Sequence, residues 1–596
     1  MSAVKISGEL PRELIQCAKG EVKADLVLKN SILINVCSGE LLENEDIAIK
    51  KDRIALVGDA DHTIGEETFV IDAGDYYVSP GLIDVHNHIE ASMVNPTQFA
   101  RVVLPKGNTA VLWEPLWTAN VLGKEGVKIF LEEGRKLPLK FYATAPSGVP
   151  GAPPEIITPG HELSIGDTEE MLSWDNVVGL GEIVELKEVL EGDKKVHEKM
   201  RLALRDGKTI DGSGAGMEGK ELNAYVAAGV QSDHEATKLK EALERIRLGL
   251  RLVIREGSGM RDLSKLITAI TEEGVDSRRC CFCVDDKDIG EVGEEGLIDY
   301  MVRKSIASGV DPVEAVQIAS LNAAEYMKVD GEIGSVTPGK KADLLMVKDL
   351  EKFSVDRVIV DGEVVSENGK LMTDFPSFSY PQKTRNSVRV KRKITREDFI
   401  YGSEKETETK VRVIEVYDDK IISSEEIETL PVENGEIRLT SGVDILKAAV
   451  VERYGKTGPN IGKGFVKGFG LEKGAIATSI TPDIHHLITI GRDEVDMSRA
   501  VNRIVEIRGG IVISEEGEIL DELSLPIGGI VSDAPYEKII EKLENLRGEV
   551  RKLGCELSSP FMTLAFVGCP TLPELKLSDK GLVDVFENDI RNYEEG

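Results

Sequence analysis

The stretch LIDVHNHIEA, residues 82–91, decides how this chain is read. Leu82, Ile83 and Val85 form a short apolar strand pattern that runs directly into His86-Asn87-His88. Successive side chains alternate on a strand, so residues i and i+2 point the same way. Two imidazoles therefore converge on one point beyond the strand end, at a spacing that suits a divalent metal. A His-x-His pair alone is a frequent accident; its weight comes from the seven comparable segments that follow it.

Those segments are NTAVLWEP (108–115), KFYATAPS (140–147), VVGLGEIVE (177–185), KTIDGSGAG (208–216), GVQSDHEA (229–236), RLVIREGS (251–258) and RRCCFCVDD (278–286). Most lead into a helix-like stretch such as EATKLKEALERIRLGL (235–250). Eight strand-then-helix units predict an α/β fold, a (β/α)8 TIM-like barrel, whose chemistry sits at the carboxyl ends of its strands. Glu182 ends the fourth segment, His234 the sixth and Asp285 the eighth. Taken singly, each reads as a surface carboxylate or a histidine satisfied by a backbone carbonyl. With His86 and His88 they put five metal-ligating side chains on one rim.

Around this block the texture changes. ADLVLKNSILINV, EDIAIKKDRIALVGD and TFVIDAGDYYVSPG within residues 24–81 read as short strands and turns, and the same texture returns in ADLLMVKDL and VDRVIVDGEVV at 342–366. The expected organisation is the N-terminal part of a small β-domain at 1–78, the barrel at 79–335, the returning part of the β-domain at 336–385, and an α+β domain at 386–596. The last follows the charged stretch QKTRNSVRVKRKITRED. It reads as strands in KVRVIEVYDD, HHLITIGRD and RIVEIRGGIVIS, with an amphipathic helix around 535–553.

A length of 596 residues calls for two or three domains. With 73 basic against 105 acidic residues the net charge is −32, which excludes phosphate backbones and anionic membranes as natural partners. No apolar run of membrane-spanning length and no leader-like N-terminus are found, and seven cysteines in so long a chain form no disulfide framework. A reducing cytoplasm is the expected compartment.

The stretches SPGLIDVHNHIEAS, TANVLG, VVGLGEIVE, GKELNAYVAAGVQSDHE, REGS and CVDD resemble the adenine deaminase family of the amidohydrolase superfamily. The likeness continues through AVNRIVEI, DELSLPIGG, GCELSSPFMTLAF and PELKLSDKG. The resemblance implies hydrolytic deamination of adenine to hypoxanthine and ammonia, as in purine salvage, with a small purine base as substrate and a homodimer or larger assembly. It implies a divalent metal, manganese or iron, as one or two ions on His86, His88, Glu182, His234 and Asp285, with Glu182 bridging where two are present. Asp285 is then the proton acceptor for the attacking water and the donor to the leaving group, and His234 holds a second metal or polarises the water.

Three places depart from the family's polar residues. Asp-Pro-His-Glu is here Glu114-Pro115-Leu116-Trp117, Asp-Gly-His is Asp211-Gly212-Ser213, and His-Asp-Ser-His-Asn is Pro482-Asp483-Ile484-His485-His486. Ser213 is a poor metal ligand, so a single site on His86, His88 and Asp285 is one expectation. A different heterocyclic substrate and a non-catalytic paralogue stay open as alternatives. Cys281 and Cys283 share strand parity with Asp285, which makes thiolate ligation an alternative to plain packing. His485-His486 is either a cap on the site or a surface pair, and Trp113 and Trp117 either stack a flat base or pack. His62, His161 and His197 are expected at the surface, and GPNIGKGFVKGFG (458–470), which lacks phosphate-loop spacing, in a turn.

Overall fold

The computed structural model describes residues 10–418, 420 and 422–595; residues 1–9, part of the stretch read as lacking a leader, lie outside them. The eight barrel strands are Leu82–Asn87, Asn108–Trp113, Lys140–Ala145, Val177–Ile183, Thr209–Gly212, Ser232–Asp233, Arg251–Arg255 and Cys280–Cys283. Most are buried along nearly their whole length, as strands covered on both faces must be. The first five pair in parallel in chain order, and so do the last three. Gln231 N–H donates to Ile210 O at 3.0 Å between strands five and six. The ring closes between strands eight and one, where Asp285 N–H donates to His86 O (3.1 Å) and His88 N–H to Asp285 O (3.0 Å). The seam of the barrel is thus stitched by the backbones of the residues the sequence singles out.

One nine-stranded sheet takes strands from both flanks of the barrel: Leu344–Val347 runs antiparallel to Tyr77–Pro80 on one side and to Val355–Val360 on the other. A second nine-stranded sheet, between 408 and 524, packs the helix Glu494–Ile507 on one face. The helix Tyr536–Lys552 lies against the barrel helix Ile289–Glu294, and the wholly buried helix Pro560–Val567 lies over the mouth of the barrel. The largest apolar core is continuous, running from Ile34 in the flanking sheet through the barrel to Leu582 near the C-terminus. Among the described residues no helix is long and apolar enough to cross a membrane.

Four local expectations need correction. RIVEI is the end of a helix, not a strand: Met497, Ala500, Val501 and Ile504 are buried at helical spacing, and the strand Gly510–Glu515 starts only past Arg508 (φ 68) and Gly509. Within 458–470 the residues Ile461–Lys467 form a strand rather than a turn. Its glycines serve close approach, since a Cβ on Gly462 would lie 1.9 Å from Ser578 O and one on Gly464 2.8 Å from Leu582. Cys281 and Cys283 do not share a direction with Asp285, because the strand ends at Cys283 and Asp285 takes φ 60; both thiols pack in the core with Ile83 and Val85. His62 and His161 are exposed, but His197 is half-buried, its Nε2 2.9 Å from Val189 O.

Candidate active site

His86, His88, Glu182, His234 and Asp285 come together in the barrel mouth, all at most 6% exposed, and all but His86 line a cavity there. The His86 ring lies 5.1 Å from that of His88 and 4.1 Å from that of His234, centroid to centroid. His88 Nε2 lies 3.3 Å from Glu182 Oε1 and 3.4 Å from Asp285 Oδ1, and His234 Nε2 lies 3.5 Å from Glu182 Oε2. Asp285 Oδ1 is also 3.5 Å from His86 Nε2, which has no hydrogen-bond partner among the described residues. Three overlapping triads, His86–His234–Asp285, His86–His88–Glu182 and His88–Asp285–Asp286, each hold their ligand atoms within 4.8 Å of one another. This donor set, imidazole nitrogen with carboxylate oxygen, fits a divalent transition ion. The outer nitrogens are fixed from behind: His86 Nδ1 meets Asp211 Oδ2 at 2.7 Å and His88 Nδ1 meets Glu114 O at 3.2 Å, the arrangement that orients metal-binding histidines.

Three groups essential to this geometry, Arg255, Glu235 and Asp286, escape a reading of the sequence, and a fourth, Glu114, enters it only as a departure from the family. Arg255, 1% exposed at the end of strand seven, donates from Nη1 to Asp285 Oδ2 (2.6 Å) and from Nη2 to Glu235 Oε2 (2.8 Å). Its fork turns Asp285 Oδ1 toward the histidines. Glu235 also accepts from Ser213 Oγ at 3.2 Å, and its Oε1 lies 3.5 Å from His234 Nε2. Asp286 and Glu114 complete the buried acids. The only signal for them was position: each sits at or just past a barrel strand end.

Electrostatics follow from this crowding. Burial opposes a charged His88, but Glu182, Asp286 and Asp285 overrule it and carry the imidazole up to about 10. Burial likewise favours a neutral Asp285, yet Arg255 and then His86 hold it well below the usual carboxylate range. Burial and Glu182 together push Glu114 up to about 8, and burial and Asp285 push Asp286 well up. The cluster carries more buried negative charge than Arg255 alone offsets, the condition under which a divalent cation binds well.

The cavity is small, about 30 Å³. Its far end is made by the C-terminal region: Pro482, Asp483, Phe566, Cys569, Thr571 and Leu572. Asp483 is buried with φ 67; its Oδ2 accepts from Thr571 Oγ1 and, at 3.4 Å, from Cys569 Sγ. Burial and Glu182 push its carboxyl up to about 6. Trp117 forms a wall, stacked on His88 (5.4 Å, 18°) and edge-on to His485 (4.9 Å). His485 and His486 are fully buried, so the surface-pair reading is wrong; His485 lies behind Trp117. Trp113, by contrast, packs against Phe130 and Phe141.

A closed parallel barrel with these side chains at its strand ends defines a hydrolase of the amidohydrolase class, and the amidohydrolase family profile matches residues 77–365. The profile of the adenine deaminase C-terminal domain matches residues 420–589. The chain is 41% identical over 581 residues to an adenine deaminase of Moorella thermoacetica, covering 97% of each chain. It is 39% identical over 577 residues to one of Clostridium botulinum and 38% over 581 residues to one of Mesorhizobium japonicum, in both cases over 97% of this chain and 96% of the relative. The chain belongs to the adenine deaminase family.

Proposed function

We propose that this protein hydrolyses adenine to hypoxanthine and ammonia. The observation that carries the reading is the convergence of His86, His88, Glu182, His234 and Asp285 in the barrel mouth, in a chain that matches adenine deaminases over almost its whole length. His86, His88 and Asp285 would hold one ion; Glu182 and His234, with Glu235 beside them, would reach a second. Manganese or iron suits the mixed nitrogen and oxygen donors. When bound, such an ion supplies the positive charge that acidifies water near neutral pH.

The chain's own residues do the proton work. Asp285, with Oδ2 tied to Arg255, offers Oδ1 to the proton of the water as its oxygen adds to C6 of the base and the C6=N1 electron pair moves onto N1, to return as the amine leaves. The same proton then passes to the exocyclic nitrogen, the C6–N bond breaks, and ammonia leaves. His234 steadies the developing charge on the oxygen side. Trp117 supplies an apolar wall against which a flat ring packs. We further assign the barrel to 79–335, the small β-domain to 1–78 and 336–385, and an α+β domain to 386–596, in a cytosolic homo-oligomer acting in purine salvage.

The test is ammonia release from adenine by the purified, metal-supplemented protein, with hypoxanthine formed one for one. Asp285→Asn is expected to lower kcat by about 10²–10⁴-fold. Metal retention without ammonia from adenine would redirect the assignment to another heterocycle.

A further inference from the structure

The two ends of the cavity differ in kind. The barrel end gathers the histidines and acids described above. The C-terminal end sets apolar Pro482, Phe566 and Leu572 beside Cys569 and Thr571, and contributes one carboxyl, that of Asp483. Two donors hold that carboxyl: Thr571 Oγ1 and Cys569 Sγ both give to Oδ2, whereas Oδ1 accepts no hydrogen bond among the described residues. Backbone geometry fixes it as well. Asp483 holds φ 67, a conformation Asp tolerates better than most residues, and the loop opposite approaches so closely that a Cβ on Gly151 would lie 2.7 Å from Asp483 Cβ. An acid built into place by a left-handed turn, two donors and a glycine, on the wall of a cavity, has a ligand to meet.

Resting on the adenine reading above, the chemistry of that ligand is defined by its orientation. When C6 of the base faces the histidine end, the opposite edge carries the N9–H of the five-membered ring. We propose that Asp483 is a specificity-determining residue that accepts this N–H through Oδ1, so that the site takes purine bases unsubstituted at N9 and refuses nucleosides and 9-alkyl purines. The recognition is carried by the C-terminal region, not by the barrel.

Asp483→Asn tests this sharply. Thr571 and Cys569 would keep the amide oxygen, turning the amide N–H2 toward the cavity and replacing an acceptor by a donor. The experiment compares kcat/KM for adenine and 9-methyladenine in the metal-supplemented wild type and variant, using competitive inhibition where 9-methyladenine turns over too slowly. Because both ligands are measured on one sample, the folded fraction cancels in their ratio. Adenine is expected to lose about 10–100-fold, mainly in KM, and 9-methyladenine less than about 3-fold. Equal losses for both, or no loss for adenine, overturn the proposal. Where Asp483→Asn cannot be recovered folded, Thr571→Val is expected to cost adenine about 3–10-fold with 9-methyladenine unchanged, and equal losses again overturn it. A wild type that leaves adenine untouched under the same conditions overturns the functional reading itself, and this inference with it.

Discussion

Arg255 holds two acids of different strands in one fork, Asp285 from strand eight and Glu235 just past strand six. Replacing it with Met leaves both buried carboxylates without their guanidinium, and breaking such a buried pair typically costs about 3–5 kcal/mol. Arg255→Met is therefore expected to lower thermal stability visibly and activity by at least about 100-fold. Arg255→Lys should rescue stability in part but not kcat, since an ammonium cannot bridge two acids in a planar fork. A lysine variant with wild-type kcat would remove the positioning role. Arg255 also marks the limit of what can be read from sequence. His86, His88, Glu182, His234 and Asp285 were visible because histidines and acids at strand ends have a known chemical use. Arg255 stands at an equivalent place in RLVIREGS, but its meaning lies in partners contributed by other strands, and no local pattern encodes those. His485 was opaque for the same reason: only the packing of Trp117 against it gives it a place.

Elements join through Asp579. In the hairpin loop between the strands Leu575–Ser578 and Gly581–Asp584, it accepts from Thr158 N–H (2.9 Å) and Thr158 Oγ1 (2.6 Å) in a barrel loop, with His486 Nε2 3.2 Å away. Burial opposes its charge, but His486 and Thr158 bring the carboxyl down from 3.8 to about 2. A depressed folded-state value means the stabilisation is full above about pH 4 and is lost as the pH falls toward 2, a contribution of about 2 kcal/mol. Asp579→Asn is expected to destabilise the protein near neutrality by about that amount and to flatten the acid limb of its stability between pH 4 and 2. An acid limb identical to wild type would show that the latch lies elsewhere. Barrel strands were legible element by element, because each is a short apolar run with a polar end. RIVEI was not, since Ile and Val favour strands and only the wider spacing of Met497, Ala500, Val501 and Ile504 reveals the helix.

The whole molecule shares one principal core, from the barrel strands through the second nine-stranded sheet, and ion pairs such as Arg547–Asp288 tie the C-terminal helix Tyr536–Lys552 to the barrel. Calorimetry of the metal-loaded chain is expected to give a single unfolding transition, despite its length; two well-separated transitions would mean the C-terminal region and the barrel unfold independently. The shared sheet has a further consequence, for synthesis. Strand Tyr77–Pro80 leaves the ribosome early, but its neighbour Leu344–Val347 emerges only after the entire barrel has been made. At about 5–20 residues per second, its unpaired edge waits roughly tens of seconds, a ready template for a wrong strand. The nascent chain therefore depends on fast barrel closure or a chaperone to guard that edge, and a slowed ribosome between codons 80 and 344 should raise the aggregated fraction without changing one residue of the product.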